Sequence, residues 1–316
     1  MTAAILCFAP PAGAVVFSLT GTSAMNFGLS GADLLTVGMG GMPVVAISAS
    51  NLGLIPGMGP APGDELNAVS FGPFVGTDAY FSVDGGSTGQ SSTVIDIQAT
   101  AGHQAADIFV DPFPIDLLGL PSLAFDQSAL GLGTSDDIDA LDMDPVSVMD
   151  TDGNGVPDIP VFFSLAPGSP TLTLLGATAA DILVTAGGAP PSVAVSAATL
   201  GLNLLQPGDD IDALLYDPTP STGSLVLSLA PGSPTLAGNG WSAADIFAPL
   251  TAPQPGFAGP TAISGQISTL GLVVNDNVDA FSDMPSVTTG VPEPATLFVL
   301  GIGLLGLGIT RRRRFG

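Results

Sequence analysis

The sequence predicts an all-β body of four copies of one unit, arranged as a four-repeat β-propeller and followed by one C-terminal transmembrane helix. Three observations carry this. Four segments share one ordered set of landmarks, and repeats determine architecture. Within each segment the apolar pieces are short and bounded by Gly, Pro, Ser and Asp, the pattern of strands and turns. The acid is 26 Asp against 2 Glu, and Asp favours turns whereas Glu favours helix.

The first landmark is a strand: Phe17-Ser-Leu19, Phe81-Ser-Val83, Phe163-Ser-Leu165 and Leu227-Ser-Leu229. In the last two copies it runs into an identical turn, Ala166–Thr171 and Ala230–Thr235. The second is Ala-Asp-Leu/Ile, with Asp33, Asp107, Asp181 and Asp245 spaced by 74, 74 and 64 residues. Leu-Gly-Leu follows at 52–54, 130–132, 200–202 and 270–272. The fourth landmark is Asp followed by Glu, Asp or Asn, an apolar residue, and then Asp-Ala or Asn-Ala: Asp64–Ala68, Asp136–Ala140, Asp209–Ala213 and Asp276–Ala280. The units lie near 15–72, 79–145, 161–218 and 225–283, with a linker at 284–290. The chain starts and leaves this body in mid-unit, so the last strand is expected to complete the first blade and remove an open edge. Tandem β-sandwich or solenoid repeats are the alternative.

The Asp-Ala dipeptide ahead of a strand resembles hemopexin-type blades in its spacing, which implies the inner strand of each blade. If the blades close, Asn67, Asp139, Asp212 and Asp279 come round the axis with near four-fold symmetry. With no Lys or Arg beside them, their charge would favour a central ion. The competing reading is that they cap strand starts and bond their own turns.

At the N-terminus, residues 1–14 read as a signal peptide whose start lies upstream of Met1. Ala3–Ala9 is an apolar stretch, Ala12-Gly-Ala14 has the small residues of a cleavage site, and no basic residue precedes them. Cys7 is the only cysteine and falls in this segment. Cleavage after Ala14 would leave a body without disulfide or thiolate chemistry.

All four cationic residues are Arg311, Arg312, Arg313 and Arg314. They follow the apolar run Leu297–Ile309, as basic residues fix the cytoplasmic end of a membrane segment. The run alone is shorter than the roughly 20 residues a helix needs to cross hydrocarbon; a span at 295–310 becomes feasible with its uncharged neighbours. Before it stands Val291-Pro292-Glu293-Pro294, an extended segment because each Pro disfavours helix in the residue preceding it. The order of these parts, within 291–316, resembles the PEP-CTERM sorting signal of bacterial exported proteins. That resemblance implies recognition and processing by exosortase, transient membrane anchoring, and a link to exopolysaccharide and biofilm.

Asp150-Thr-Asp152-Gly-Asn154-Gly-Val156-Pro-Asp158 alternates oxygen ligands with glycines that turn the chain, as a hard cation requires. It resembles the calcium loops of thrombospondin type 3 and dockerin repeats. The likeness puts Asp150, Asp152, Asn154 and Asp158 on the ligand positions, with the Val156 carbonyl between them, and implies a structural Ca²⁺. The chain departs from an EF-hand at Val161, where a bidentate Glu would stand.

Catalytic signals are sparse. Gly85-Gly-Ser87-Thr-Gly89 matches a hydrolase elbow in spacing, but it falls between strands rather than at a strand-to-helix turn. His103 occupies a position that holds Leu29, Ala177 or Trp241 in the other units. Nucleic acid is excluded as a partner of the body, which has no Lys or Arg to meet phosphate. The expected function is a non-enzymatic structural or adhesive protein, exported across the inner membrane to the cell surface or extracellular matrix. A lectin-like module for neutral or Ca²⁺-bridged glycans is the alternative, and a hydrolase comes third.

Overall fold

The computed structural model describes residues 15–38, 40–57, 63–71, 78–111, 120–143, 157–158, 160–203, 208–216, 225–248, 261–262 and 270–283. The signal peptide, the linker 284–290, the sorting signal and the membrane helix expected from the sequence lie outside these residues. Among the described residues no helix is long and apolar enough to cross a membrane.

In chain order the strands are β1 (Val15–Leu19), β2 (Leu34–Val37), β3 (Pro43–Ile47), β4 (Leu66–Phe71), β5 (Ala79–Val83), β6 (Ile108–Asp111), β7 (Ser122–Phe125) and β8 (Ile138–Met143). They continue with β9 (Val161–Leu165), β10 (Ile182–Thr185), β11 (Ser192–Val195), β12 (Ile211–Tyr216), β13 (Leu225–Leu229), β14 (Phe247–Ala248), β15 (Thr261–Ala262) and β16 (Val278–Asp283). They form four antiparallel four-stranded sheets. Sheet II is β4–β7, sheet III β8–β11 and sheet IV β12–β15, each in sequence order, while sheet I runs β16-β1-β2-β3. The last strand thus joins the first, with Val15 opposite Asp283 and Phe17 opposite Phe281. Sheet boundaries are offset from the sequence units by one strand, because each sheet takes its first strand from the end of the preceding unit.

The helix content exceeds what the sequence promised. Among the described residues five short α-helices stand out: α1 (Gly21–Asn26), α2 (Val94–Ala101), α3 (Pro170–Leu175), α4 (Ala197–Leu200) and α5 (Pro234–Asn239). The identical turns at 166–171 and 230–235 are in fact the starts of α3 and α5. Proline is pre-set for the first helical position, where its missing N–H costs nothing. Each helix stops at a left-handed glycine, Gly176 and Gly240. The local signals were present, but the helices are too short for a 3.6-residue periodicity to develop.

Apolar side chains pack between consecutive sheets rather than within one. Phe81, Leu66 and Leu34 join sheets I and II, and Phe163, Ile138 and Ile108 join II and III. Phe247, Ile211 and Ile182 join III and IV, and Phe17, Val278 and Ile246 join IV and I. The Leu-Gly-Leu landmark also serves this packing. Its leucines are buried, and its glycine takes a left-handed turn, as at Gly53 with φ +69°, where a Cβ would also press against Pro121 at 3.1 Å.

The serine of the Phe-Ser-Leu landmark ties each sheet to the next. Ser18 Oγ donates to the Leu66 carbonyl at 3.5 Å, Ser82 to Ile138 at 3.0 Å, Ser164 to Ile211 at 2.9 Å and Ser228 to Val278 at 3.1 Å. All four serines are fully buried. Ser164→Ala is expected to lower the unfolding free energy in urea by about 1–3 kcal/mol, the cost of a buried acceptor losing its donor. An unchanged transition would show that the bond does not tie the sheets.

Candidate functional site

The first strands of the four sheets, β4, β8, β12 and β16, pack beside one another, with β16 returning to β4. Each brings two polar residues to the same end. Just before the strand stands Glu65, Asp137, Asp210 or Asn277, and at its second position Asn67, Asp139, Asp212 or Asp279. The second set sits at a bulge in every case. Register slips between Leu66 and Ala68, between Ile138 and Ala140, between Ile211 and Ala213, and at Val278 and Ala280 opposite Leu19 and Ser18. A bulge leaves its extra residue outside the ladder and re-aims the side chain. Asn67 uses this position to reach the neighbouring sheet, where it meets Asp137.

Three of the four sheet junctions bring together two of these polar side chains. Asn67 Nδ2 donates to Asp137 Oδ1 at 3.0 Å. Asp139 lies against Asp210, and Asp212 against the Asn277 side chain. At the fourth junction Asp279 feels the charge of Glu65, but Glu65 Oε1 turns aside to accept from the Gly21 N–H at 2.9 Å. Asp212 Oδ2 and Asn277 Oδ1 are buried without a partner, as is Asp210 Oδ1.

Burial dominates the electrostatics here. It pushes Asp137 up to about 7, with the Asp84 charge adding to the rise and the Asn67 bond opposing it. Burial likewise raises Asp210 and Asp212 to about 7, against the bonds from Asp139 and Asn277 respectively. Asp139 is held well above the usual carboxylate range by burial and then by the Asp210 and Asp212 charges. For Asp279 the causes are burial and then Asp212. The arrangement can therefore hold protons near neutral pH. Among the described residues no group of three or more His, Cys, Asp or Glu side chains is disposed to hold a metal ion.

The remaining landmark acids have a different task. Asp64, Asp136, Asp209 and Asp276 stand just before these pairs, and their carboxylates accept backbone N–H groups. Asp136 takes Gly133 N at 2.7 Å and Thr171 N at 2.9 Å, and Asp209 takes Asn203 N at 2.6 Å and Thr235 N at 2.8 Å. Asp33 and Asp181 do likewise, each bridging a turn to the start of a later one. Backbone donors thus replace the absent Lys and Arg.

Ser87 is structural too. Its Oγ accepts from Glu65 N at 3.0 Å, as Ser169 does from Asp137 N, Ser233 from Asp210 N and Ser23 from Asn277 N. Its other bonds run to Glu65 and Asp84, not to His103. Of the calcium-loop residues, Asp150, Asp152, Asn154 and Val156 lie outside the described residues, and Asp158 is exposed. The inner row Glu65, Asp137, Asp210 and Asn277 had not been singled out from the sequence. Its signal was the second position of the fourth landmark, which holds only Glu, Asp or Asn.

The family model of the PEP-CTERM protein-sorting motif matches residues 290–314. The chain carries a PEP-CTERM motif. It includes Val291, Pro292, Glu293, Pro294 and Arg311 to Arg314, the residues on which the sequence resemblance rested. The PEP-CTERM motif implies export, a membrane-anchored precursor and exosortase-dependent sorting to the cell surface. No curated protein matches the chain.

Proposed function

We propose that the chain is a non-enzymatic structural or adhesive protein of the cell surface or extracellular matrix, released from its membrane-anchored precursor by exosortase. The PEP-CTERM motif carries the reading. The body adds support, because its polar landmarks are consumed in joining sheets: Ser87 and the buried aspartates bond backbone, and no nucleophile–base pair is formed by Ser87 and His103. We read the four sheets as blades of a closed four-bladed propeller, supported by the β1–β16 pairing and by apolar packing from sheet IV back to sheet I. In a host with exosortase, an N-terminally tagged chain is expected on the cell surface in a form shortened at its C-terminus. Without exosortase it should stay full-length in the membrane fraction. Surface delivery of full-length chain in both hosts would refute processing.

Ca²⁺ is the structural ion of this reading, held by Asp150, Asp152, Asn154, the Val156 carbonyl and Asp158. The support is the ligand pattern of the sequence, oxygen donors at alternating positions. A ligand that binds only the folded state raises stability by mass action, about 2.7 kcal/mol at a hundred times its Kd. Adding Ca²⁺ to EDTA-treated protein is therefore expected to raise its melting temperature, and Asp152→Ala should abolish the rise. No shift would remove this ion.

A further inference from the structure

We infer that the outer edge of sheet I is a contact between two copies of this chain, with β3 of one copy pairing antiparallel with β3 of the other across a two-fold axis.

The sheet order leaves β3 at the end of sheet I, with β2 on one side and, among the described residues, no strand on the other. Such an edge presents a row of backbone N–H and C=O groups that can template another strand, and proteins guard it with charged side chains, prolines and bulges. β3 has no charged residue. Its guards stand only at its ends. Pro43 opens the strand, and a bulge falls at Ala46, where Leu34 faces Ile47 but Leu35 faces Val45. Between them Val44 and Val45 are 42% and 43% exposed.

The apolar surface continues beyond the strand, over the seam where sheet IV meets sheet I. The Leu-Gly-Leu turn after β15 sets Gly271 against the β2–β3 hairpin: a Cβ there would overlap the Gly41 carbonyl and stand 3.0 Å from Met42 Cα. Met42 is 52% exposed, and just past the turn Val273 and Val274 are 56% and 68% exposed. Five large apolar side chains thus gather at one seam, as at an interaction surface. The matching seam between sheets II and III is different. There a Cβ on Gly131 would meet Pro190 and Pro191, and the turn goes on as exposed Gly133-Thr134-Ser135, with no large apolar side chain.

Charge and the open edge together say what covers this surface. The body holds every acid of the chain except Glu293 and no Lys or Arg, so copies repel one another over most of their surface. The two stretches that build this seam, 34–63 and 246–275, contain no charged residue. Here two copies meet without like charges in contact. A bilayer does not fit, because an open strand edge stays unsatisfied in hydrocarbon. A second β3 fits on both counts, since it brings backbone donors and acceptors together with the same valines. A two-fold contact needs only one self-complementary patch. Pairing centred between the guarded ends sets Val44 of one copy opposite Val45 of its partner. The surface lies in the body, so it serves the precursor and the processed form alike.

Sedimentation velocity of the full chain in mild non-ionic detergent with EDTA tests this. Wild type should pass between monomer and dimer along a dilution series. The dimer should gain as NaCl rises from about 0.01 to about 0.15 M, over which the Debye length shortens from about 30 to about 8 Å. Val45→Asp sets two like charges beside the axis and should raise the dimer Kd at least about tenfold. Val193→Asp, on the exposed edge strand β11, should leave it unchanged. A wild type that stays monomeric throughout, or a dimer that Val45→Asp leaves intact, overturns the proposal. Should the variants not fold, hydrogen exchange of wild type decides: the β3 amides must exchange more slowly at high protein concentration than at low. Protection of β3 that appears only on adding phosphatidylcholine vesicles makes lipid the cover and overturns the proposal.

Discussion

Ending the chain at Asn277, and so removing β16, is expected to abolish cooperative folding of the whole body rather than to fray one edge. β16 supplies the first strand of sheet I and pairs with β1 from Val15 to Leu19. It also places Val278, Ala280 and Phe281 in apolar packing, each at most 3% exposed. Burying a large apolar side chain is worth about 1.5–3 kcal/mol. Val278 and Phe281 together with the lost ladder therefore approach the 5–15 kcal/mol that holds a typical domain. The truncation also uncovers β1 as an open edge, which invites association. The expected observation is loss of the sigmoidal urea transition with aggregation at low denaturant. A truncated chain that keeps the transition and midpoint of the intact one would show that β16 is an accessory strand.

Asp136→Ala should be strongly destabilising. The side chain is 1% exposed and accepts three donors: Gly133 N, Thr171 N and the Thr171 hydroxyl at 2.6 Å. The first belongs to the loop leaving sheet II and the others to the start of α3 beyond β9, so one carboxylate fastens two connections around the root of β8. Each buried donor left without a partner costs about 1–3 kcal/mol. The loss should therefore total at least about 3 kcal/mol, a large share of total stability. Asp136→Asn should fall between, since its oxygen can satisfy one side while its NH₂ faces donors. Equal midpoints for Ala and wild type would refute the fastening role.

Much of this was legible in the sequence because the repeat is internal. Four aligned copies place Phe17, Phe81, Phe163 and Leu227 at one position, and all four are buried at sheet junctions. The meeting of first and last strand was legible for the same reason. The sheet boundaries were not, since a repeat fixes a period but not its starting point. The helices escaped because six residues, as in α3, are under two turns. The junction pairs escaped because Asp139 and Asp210 are 71 positions apart and only the bulges aim them at each other.

The direction of β16 has a consequence for how the molecule is presented. The strand begins at Val278, at the end where Asp139, Asp212 and Asp279 gather, and finishes at Asp283, opposite Val15. Both ends of the body therefore leave from one pole, about 20 Å along the six-residue strand from the acidic one. A precursor hung in the membrane by the segment after Asp283 would turn its acidic pole outward, and anything preceding Val15 would be held down beside the anchor.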